Sequence, residues 1–211
     1  MGLLLFLRLF SLHAADDFDL FATLRKVENR YNSVQTVQVD FQQTLSYVTQ
    51  PTARRMESGV LFLRKPGKMR WEYKEPTKKL FVSDGKDIFF YTPATNRVEK
   101  SKVKETDDMR APLAFLIGKL DFQRDFKEYI VRPETGWHWI IAKPKSDKAP
   151  YREVQFLLTS NLVIARLKVM GQDQSVMEFS FQNERLNPPL DDGIFQFRIP
   201  EGAEVVEAKQ D

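Results

Sequence analysis

The residue types that perform enzymatic chemistry are sparse in this sequence of 211 residues. It contains no cysteine, which excludes disulfide scaffolds, thiolate metal sites and cysteine nucleophiles. Its two histidines are His13, in a segment we expect to be removed, and His138, which lies between two tryptophans. A metal centre or a Ser-His-Asp triad would then have one imidazole to use. We therefore expect no catalytic residue, no cofactor and no metal site.

The most suggestive carboxylates are two adjacent pairs, Asp107-Asp108 and Asp191-Asp192. Adjacent carboxylates are typical of helix caps and solvated loops rather than of a general acid and its base. The Gly171-Gln172-Asp173 segment indicates a turn and lacks the spacing of a phosphate-binding loop. An enzyme is therefore the weakest class of function for this chain.

A cluster of basic residues sits beside two aromatic residues in the first third of the chain. The cluster consists of Arg64, Lys65, Lys68 and Arg70, followed by Trp71 and Tyr73. This composition could bind single-stranded nucleic acid. The whole chain, however, has 32 Lys+Arg against 29 Asp+Glu, a formal net charge of +3, which is too balanced for that function. We expect a solvated strand face or a contact for an acidic docking partner, and no nucleic acid.

The N-terminus is a short apolar run that ends in small residues. Residues 3–7 are Leu-Leu-Leu-Phe-Leu, and Ala14-Ala15 precede two aspartates. A bilayer span needs about 20 apolar residues, so this run is too short to cross a membrane. Although Arg8 interrupts the run, its length and alanine exit are typical of a secretory signal peptide. We predict a signal peptide over residues 1–15 and a single domain over residues 16–211; the alternative is an amphipathic N-terminal helix.

The apolar spacing after this leader predicts a helix. The apolar stripe comprises Leu20, Leu24, Val27 and Tyr31. That spacing places one face of a helix against a core. Asp16 or Asp17 would cap its beginning, and the helix should end near Asn32-Ser33.

Beyond the helix, the pattern changes to the period of two that is typical of strands. Met69, Trp71 and Tyr73 alternate with charged residues and form the clearest two-faced strand. Pro66-Gly67 and Asp84-Gly85 are turn signals between apolar runs, so each predicts a hairpin.

One segment interrupts the alternation of apolar and polar residues. The alternation then resumes towards the C-terminus. Residues 106–119 predict a short apolar helix, and residues 194–199 predict a final strand. The complete pattern predicts a mainly β (α+β) fold. We expect an incomplete, strongly curved antiparallel barrel of about 11 or 12 strands, with an N-terminal and a short central helix over its concave apolar face.

Aromatic residues make up 12% of the chain, and many occupy alternate strand positions. They could form an ordinary core beneath the helices, or they could line an apolar cavity for a hydrophobic ligand. Composition does not distinguish these alternatives, because a filled core and an apolar pocket use the same residue types.

Five sequence segments, in order, resemble the outer-membrane lipoprotein carrier protein (LolA) family. They are 39–43 (Val-Asp-Phe-Gln-Gln), 63–73 (Leu-Arg-Lys-Pro-Gly-Lys-Met-Arg-Trp-Glu-Tyr), Pro76 with 82–86 (Val-Ser-Asp-Gly-Lys) and Phe90-Tyr91, 112–118, and 195–197 with 200–202. Each segment is common alone, but their combined order is specific, and the resemblance runs from about residue 20 to residue 206. It implies a half-closed barrel with an apolar cavity under its helices.

The resemblance also implies a function and its partners. A periplasmic carrier of this family would accept lipoproteins from an inner-membrane ABC-type release complex and deliver them to an outer-membrane receptor, without chemistry on the cargo. We expect a monomer. The nearest alternative is a carrier of free lipid or glycolipid; a lipid-sensing regulatory domain with the same fold is another.

Strand parity and the resemblance together indicate which side chains contact the acyl chains. From the sheet they are Leu61, Leu63, Met69, Trp71 and Tyr73, and from the helices Leu20, Leu24, Leu113 and Leu116. In the family, a basic residue before the turn proline, usually arginine, bonds to the helical lid. Here Lys65 occupies that position with Arg64 beside it, and lysine lacks the forked donors of arginine. Lys65 is therefore a weaker latch, or Arg64 has taken that role from the other face. The alternative is that both are solvated turn residues, and for Arg64 this is the better interpretation.

Overall fold

The computed structural model describes residues 18–103 and 119–207. The predicted signal peptide lies outside the described residues. So does almost all of the predicted central helix, including Leu113 and Leu116.

Two α-helices and twelve strands make up the regular structure of the described residues. The helices are α1 (Leu20–Asn32) and α2 (Phe122–Asp125). The strands are β1 (Thr36–Tyr47), β2 (Gln50–Arg64), β3 (Lys68–Glu75), β4 (Lys79–Asp84), β5 (Asp87–Thr92), β6 (Arg97–Lys102), β7 (Phe126–Glu134), β8 (Trp137–Pro144), β9 (Tyr151–Thr159), β10 (Ile164–Gly171), β11 (Ser175–Leu186) and β12 (Glu204–Glu207). Pro93–Thr95 and Asp192–Phe195 are short 3₁₀ helices.

All twelve strands belong to one sheet in the order β12-β6-β5-β4-β3-β2-β1-β11-β10-β9-β8-β7. Neighbouring strands are antiparallel except β12, which pairs with β6 in parallel. The predicted hairpins at Pro66-Gly67 and Asp84-Gly85 join β2 to β3 and β4 to β5. The predicted fold class, a mainly β protein built on one open antiparallel sheet, is confirmed.

Aromatic contacts show that the sheet curves towards one face. Strands β3 and β11 are separated by β2 and β1, so in a flat sheet they would be about 14 Å apart. The rings of Trp71 on β3 and Phe179 on β11 nevertheless lie only 5.4 Å apart. We call the face that carries these two rings the inner face, and the opposite face, which carries Arg64 and Arg70, the outer face.

Helix α1 covers the inner face with the predicted stripe. Leu24, Val27 and Tyr31 are buried in the same apolar cluster as Trp71. The predicted cap was misplaced: the side chain of Asp19, not Asp16 or Asp17, accepts the Ala22 N–H at 2.9 Å. Asp19 is three residues before Ala22, which is the spacing that a capping carboxylate needs.

The strand predicted over residues 194–199 is wrong. Asp191 accepts the Gly193 N–H and begins the 3₁₀ helix, after which the chain continues in extended form across the outer face. The alternation that suggested a strand has another cause. Phe195 is fully buried on the outer face, and Phe197 stacks on Phe89 at 5.0 Å. The final strand is β12, which begins at Glu204.

Within the described residues, no helix has the length and apolar composition to cross a membrane.

Candidate functional site

Most of the side chains predicted to contact a ligand lie within the described residues, and these lie together on the inner face. Leu61, Leu63, Met69, Trp71 and Tyr73 are each no more than 4% exposed. Their burial follows from strand parity, because alternate residues of β2 and β3 point to one face. From α1, Leu24 is buried in the same cluster and Leu20 packs against it half-buried.

Trp71 is at the centre of an aromatic group in this cluster. Its ring lies 5.2 Å from Phe41 in an edge-on arrangement and 5.9 Å from Tyr73 in a stacked one. The Tyr73 hydroxyl donates to Gln43 Oε1 at 2.8 Å. The Trp71 indole N–H is buried and has no acceptor among the residues that the structure describes. This part of the inner face is a packed core.

A cavity of about 300 Å³ lies beside this core, where the C-terminal end of α1 meets the sheet. The cavity is lined by Arg30, Tyr31, Val37, Val39, Leu63, Val163, Ile164, Leu167, Phe181, Gln182, Asn183 and Glu184. Of the described residues predicted to bind a ligand, only Leu63 is on its wall. The others that the structure describes pack in the neighbouring core. Sequence reasoning missed the rest of the wall, although the alternating apolar positions of β1, β10 and β11 carried a signal for it.

Three of the polar side chains on the cavity wall form a connected group, and Gln182 and Asn183 are the other two polar residues that line it. Arg30 donates to Glu184 Oε2 at 2.6 Å, and the Tyr31 hydroxyl donates to Glu184 Oε1 at 2.7 Å. The same hydroxyl accepts the backbone N–H of Ile164 at 3.1 Å. Burial, reinforced by the Glu184 charge, raises the pKa of Tyr31 well above its ordinary value. Tyr31 therefore stays neutral and ties α1 to β10 and β11.

Lys65 also contacts the end of α1. Its ammonium group donates to the backbone carbonyl of Tyr31 at 2.6 Å. This carbonyl belongs to the last turn of the helix, where the macrodipole favours a cation. Burial lowers the pKa of Lys65 from its ordinary value. The contact agrees with the latch predicted for Lys65, but the latch role itself stays a prediction.

Arg64 points to the outer face instead. Its guanidinium donates to Asp192 Oδ1 at 2.8 Å and to the Leu190 carbonyl, and it lies over the Phe195 ring. Lys65 therefore bonds to α1 on the inner face, whereas the hydrogen bonds that the structure describes for the Arg64 guanidinium lead to residues 190–192 on the outer face.

The two ends of α1 are held in different ways. Near its C-terminal end, the Asn32 side chain bonds the N–H and the carbonyl of Leu120, each at 2.8 Å. Glu28 accepts the Phe122 N–H at 2.7 Å. At its beginning, described contacts are aromatic: Phe18 stacks on His138 at 4.0 Å, and Phe21 meets a tyrosine edge-on. Directional bonds therefore concentrate at the end beside the cavity.

Of the two aspartate pairs considered as possible catalytic groups, the described pair, Asp191 and Asp192, makes structural contacts. Asp191 caps the 3₁₀ helix, and Asp192 pairs with Arg64 and Lys68. Over residues 18–103 and 119–207, no group of three or more His, Asp or Glu side chains is placed to hold a metal ion. The described chemistry is that of an apolar cavity with a charged rim.

Sequence comparisons identify relatives over most of the chain. The sequence profile of the family described as "Outer membrane lipoprotein carrier protein LolA" matches residues 32–198. The outer-membrane lipoprotein carrier protein of Nitrosomonas europaea is 28% identical over 187 residues, which cover 88% of this chain and 89% of that protein. The protein of the same name from Bordetella avium is 28% identical over 173 residues, which cover 82% and 81%.

A comparison of structures supports the fold. An uncharacterised conserved protein from Thermus thermophilus superposes with a TM-score of 0.53 at 13% sequence identity. The superposition covers 89% of this chain and 98% of that one. At this identity the similarity shows a shared architecture and nothing about the ligand.

Proposed function

This chain belongs to the LolA family of outer membrane lipoprotein carrier proteins, and we propose that it shields the acyl chains of lipoproteins during their transfer through an aqueous compartment. The observation that carries the proposal is the cavity of about 300 Å³ between α1 and the inner face, with aliphatic and aromatic side chains on its wall. Apolar concave sites of this kind are the usual sites for hydrophobic ligands.

The physical need for such a carrier follows from the hydrophobic effect. Exposure of an acyl chain to water costs about 0.8 kcal/mol per CH₂ group, so a lipoprotein does not cross water unshielded. A carrier must cover this surface and then release it. An apolar site with few directional bonds can do both, because its affinity depends on contact area and is lost when the cover moves.

The size of the cavity implies that α1 moves when cargo binds. Ligand pockets range over about 300–1,000 Å³, and this cavity is at the lower limit. Leu20 and Leu24 are residues of α1 whose side chains pack against the core around Trp71. Movement of the helix would join the cavity to that core and would bring the predicted residues Leu61, Met69 and Tyr73 into contact with cargo.

The remaining parts of the proposal concern compartment and partners. We propose that residues 1–15 are a signal peptide, that residues 16–211 form one domain, and that the mature protein acts in the periplasm as a monomer. Its donor would be an inner-membrane ABC-type release complex, and its acceptor an outer-membrane receptor. The protein would act as a chaperone and would perform no chemistry on its cargo.

Release from spheroplasts tests this proposal directly. Inner-membrane spheroplasts that display newly made lipoproteins are incubated with the purified mature protein, and the soluble protein is recovered and analysed by mass spectrometry. We expect a lipid-modified polypeptide in a soluble complex with it. Boiled protein and a non-lipid-binding protein of similar size serve as controls.

The same experiment separates the alternatives. Recovery of free phospholipid or glycolipid without any lipid-modified polypeptide would favour a carrier of free lipid. Recovery of lipid together with an unmodified protein bound outside the cavity would favour a lipid-sensing regulatory domain. Failure to recover any lipid would contradict the role of the cavity.

A further inference from the structure

We propose that Asn183 is a positioning residue of the cavity: its backbone conformation directs Glu184 towards α1 and so sets how readily this helix opens to release an acyl chain. The inference rests on the proposed function and specifies how opening of the cavity is controlled. It starts from an irregularity in the pairing of β1 with β11.

The pairing of these two strands contains a β-bulge beside the cavity. Val39 of β1 lies opposite two residues of β11, Asn183 and Glu184, because the register shifts by one residue between Gln38 and Asp40. Asn183 has a φ of 55°, in the left-handed region. In one common class of bulge the first of the two residues is left-handed, and it is usually glycine. Asn183 therefore occupies the position on which the bulge depends.

The bulge changes which residues of β11 face the cover. Before it, Phe179 and Phe181 pack in the inner-face cluster, and after it Leu186 packs there and Glu184 bonds to α1. Side chains of a strand alternate between its faces, so a shift of one residue exchanges the two faces. Without the bulge, Arg185 would point to the inner face and Glu184 would point to the outer face.

Glu184 is the acceptor that holds the end of α1. Its two carboxylate oxygens accept hydrogen bonds from Arg30 at 2.6 Å and from the Tyr31 hydroxyl at 2.7 Å. Its side chain is only 14% exposed. Hydrogen bonds to an ionised group are stronger than neutral ones. The register set at Asn183 therefore determines whether these two bonds to the helix form.

The side chain of Asn183 fixes the bulge. Its Nδ2 group donates to Asp40 Oδ2 on β1 at 2.8 Å. Apart from glycine, asparagine and aspartate enter the left-handed region most readily, whereas a β-branched residue there is strained. Glycine at this position would lose the bond to Asp40, and aspartate would place a second negative charge beside it. Asparagine meets both requirements of the position.

Substitutions at Asn183 test this assignment on the full mature protein. Asn183→Val disfavours the left-handed conformation, and Asn183→Gly retains it. Asn96→Val is the matched control, because Asn96 is also left-handed, with a φ of 46°, but its side chain donates to the Glu201 carbonyl. The probe is a dansyl-labelled monoacylglycerol, and its release is followed by fluorescence during a chase with excess unlabelled 1-palmitoylglycerol.

We expect Asn183→Val to release the probe about tenfold faster than the unchanged protein, and Asn183→Gly to stay within about threefold of it. The double variant Asn183→Val/Glu184→Ala should release it no faster than Glu184→Ala alone, because both substitutions remove the same bonds. Hydrogen exchange should accelerate in α1 for Asn183→Val and stay unchanged there for Asn96→Val.

A milder variant keeps the test valid if Asn183→Val does not fold. Asp40→Ala removes the side-chain bond to Asn183 and leaves the asparagine in place. It should accelerate both probe release and exchange in α1, by about threefold.

Three results would overturn the inference. They are unchanged release by a folded Asn183→Val, equal acceleration by Asn96→Val, and a double variant in which the effects of Asn183→Val and Glu184→Ala multiply. In each case the proposed carrier function would survive. Failure of the unchanged protein to bind the probe would instead contradict the carrier function. Hydrogen exchange needs no ligand and would still decide whether Asn183 positions Glu184.

Discussion

The two faces of the β2–β3 hairpin are covered by different kinds of structure. On the inner face, helix α1 lies over the sheet and leaves a cavity of about 300 Å³ at its C-terminal end. On the outer face, residues 187–203, here called the C-terminal segment, cross the same strands and bury Phe195 completely. The residues at the turn divide between them: Lys65 holds the helix, and Arg64 holds the C-terminal segment.

The difference is one of backbone hydrogen bonding. A helix satisfies its own backbone groups, so it can leave the sheet without exposing unpaired N–H and C=O groups. The C-terminal segment has only a few internal backbone bonds, in its 3₁₀ helix and at the turn before β12, so its other backbone groups must bond to neighbouring elements. The Leu190 and Ile194 carbonyls accept from Arg64 and Arg70, and the chain then continues into β12. The inner cover is thus suited to movement and the outer cover to permanence.

The largest expected effect comes from the outer cover. Phe195→Ala should lower the free energy of unfolding by about 3–5 kcal/mol, because it removes a fully buried aromatic side chain from a packed site. Urea unfolding followed by fluorescence measures the change. Phe21→Ala on α1, where the ring is 43% exposed, is the control and should cost far less. Similar losses for the two variants would remove the distinction between the covers.

A smaller effect is expected at the polar rim of the inner cover. Glu184→Gln keeps an oxygen for the Tyr31 hydroxyl but leaves Arg30 without its counter-charge, at a cost of about 1–3 kcal/mol. Because the lost contact holds α1, hydrogen exchange should accelerate in the helix and stay unchanged in β12. Mass spectrometry of exchanged peptides checks both regions. Equal acceleration in both would indicate global destabilisation and contradict the independence of the two covers.

Much of this architecture could be predicted from the sequence because its signals are local. The helical stripe through Leu24 and Val27 and the alternation of Met69, Trp71 and Tyr73 each reveal a buried face within a few residues. Turn residues then identify the hairpins. These patterns were sufficient for the fold class and for the full or partial burial of every described residue expected in the apolar site.

The position of the cavity and the role of the C-terminal segment could not be predicted in this way. Arg30 and Glu184 are 154 positions apart, and only the sheet order brings β11 beside β1 and beneath α1. In the C-terminal segment, Phe195 and Phe197 alternate as strand residues do. The sequence alone does not show that they pack on an existing face instead of pairing with an edge.

Lys65 and Arg64 are adjacent but bond to opposite covers, so substituting each of them in turn compares the two covers at one place in the fold. Lys65→Ala removes the bond to the Tyr31 carbonyl, for an expected loss of about 1 kcal/mol. Hydrogen exchange should rise in the last turn of α1, and release of a bound acyl probe should become faster. Arg64→Ala should instead loosen the C-terminal segment and leave probe release unchanged. The opposite assignment of effects would make Arg64 the latch.

The smallest expected effect is a pH dependence of the outer cover. The hydrogen bond from Lys68, with the Arg64 charge, holds the pKa of Asp192 below its ordinary value. A carboxylate with a lowered pKa in the folded state stabilises the protein at pH values above its pKa in the unfolded chain. This contribution is lost as the pH falls through the lowered value.

The stability difference between the unchanged protein and Asp192→Asn should therefore be constant from pH 7 to about pH 5 and vanish near pH 2. Because Asp192 is exposed, 1 M salt should also reduce the difference. Urea midpoints at each pH measure it, and a difference that persists at pH 2 would show that Asp192 does not act through its charge.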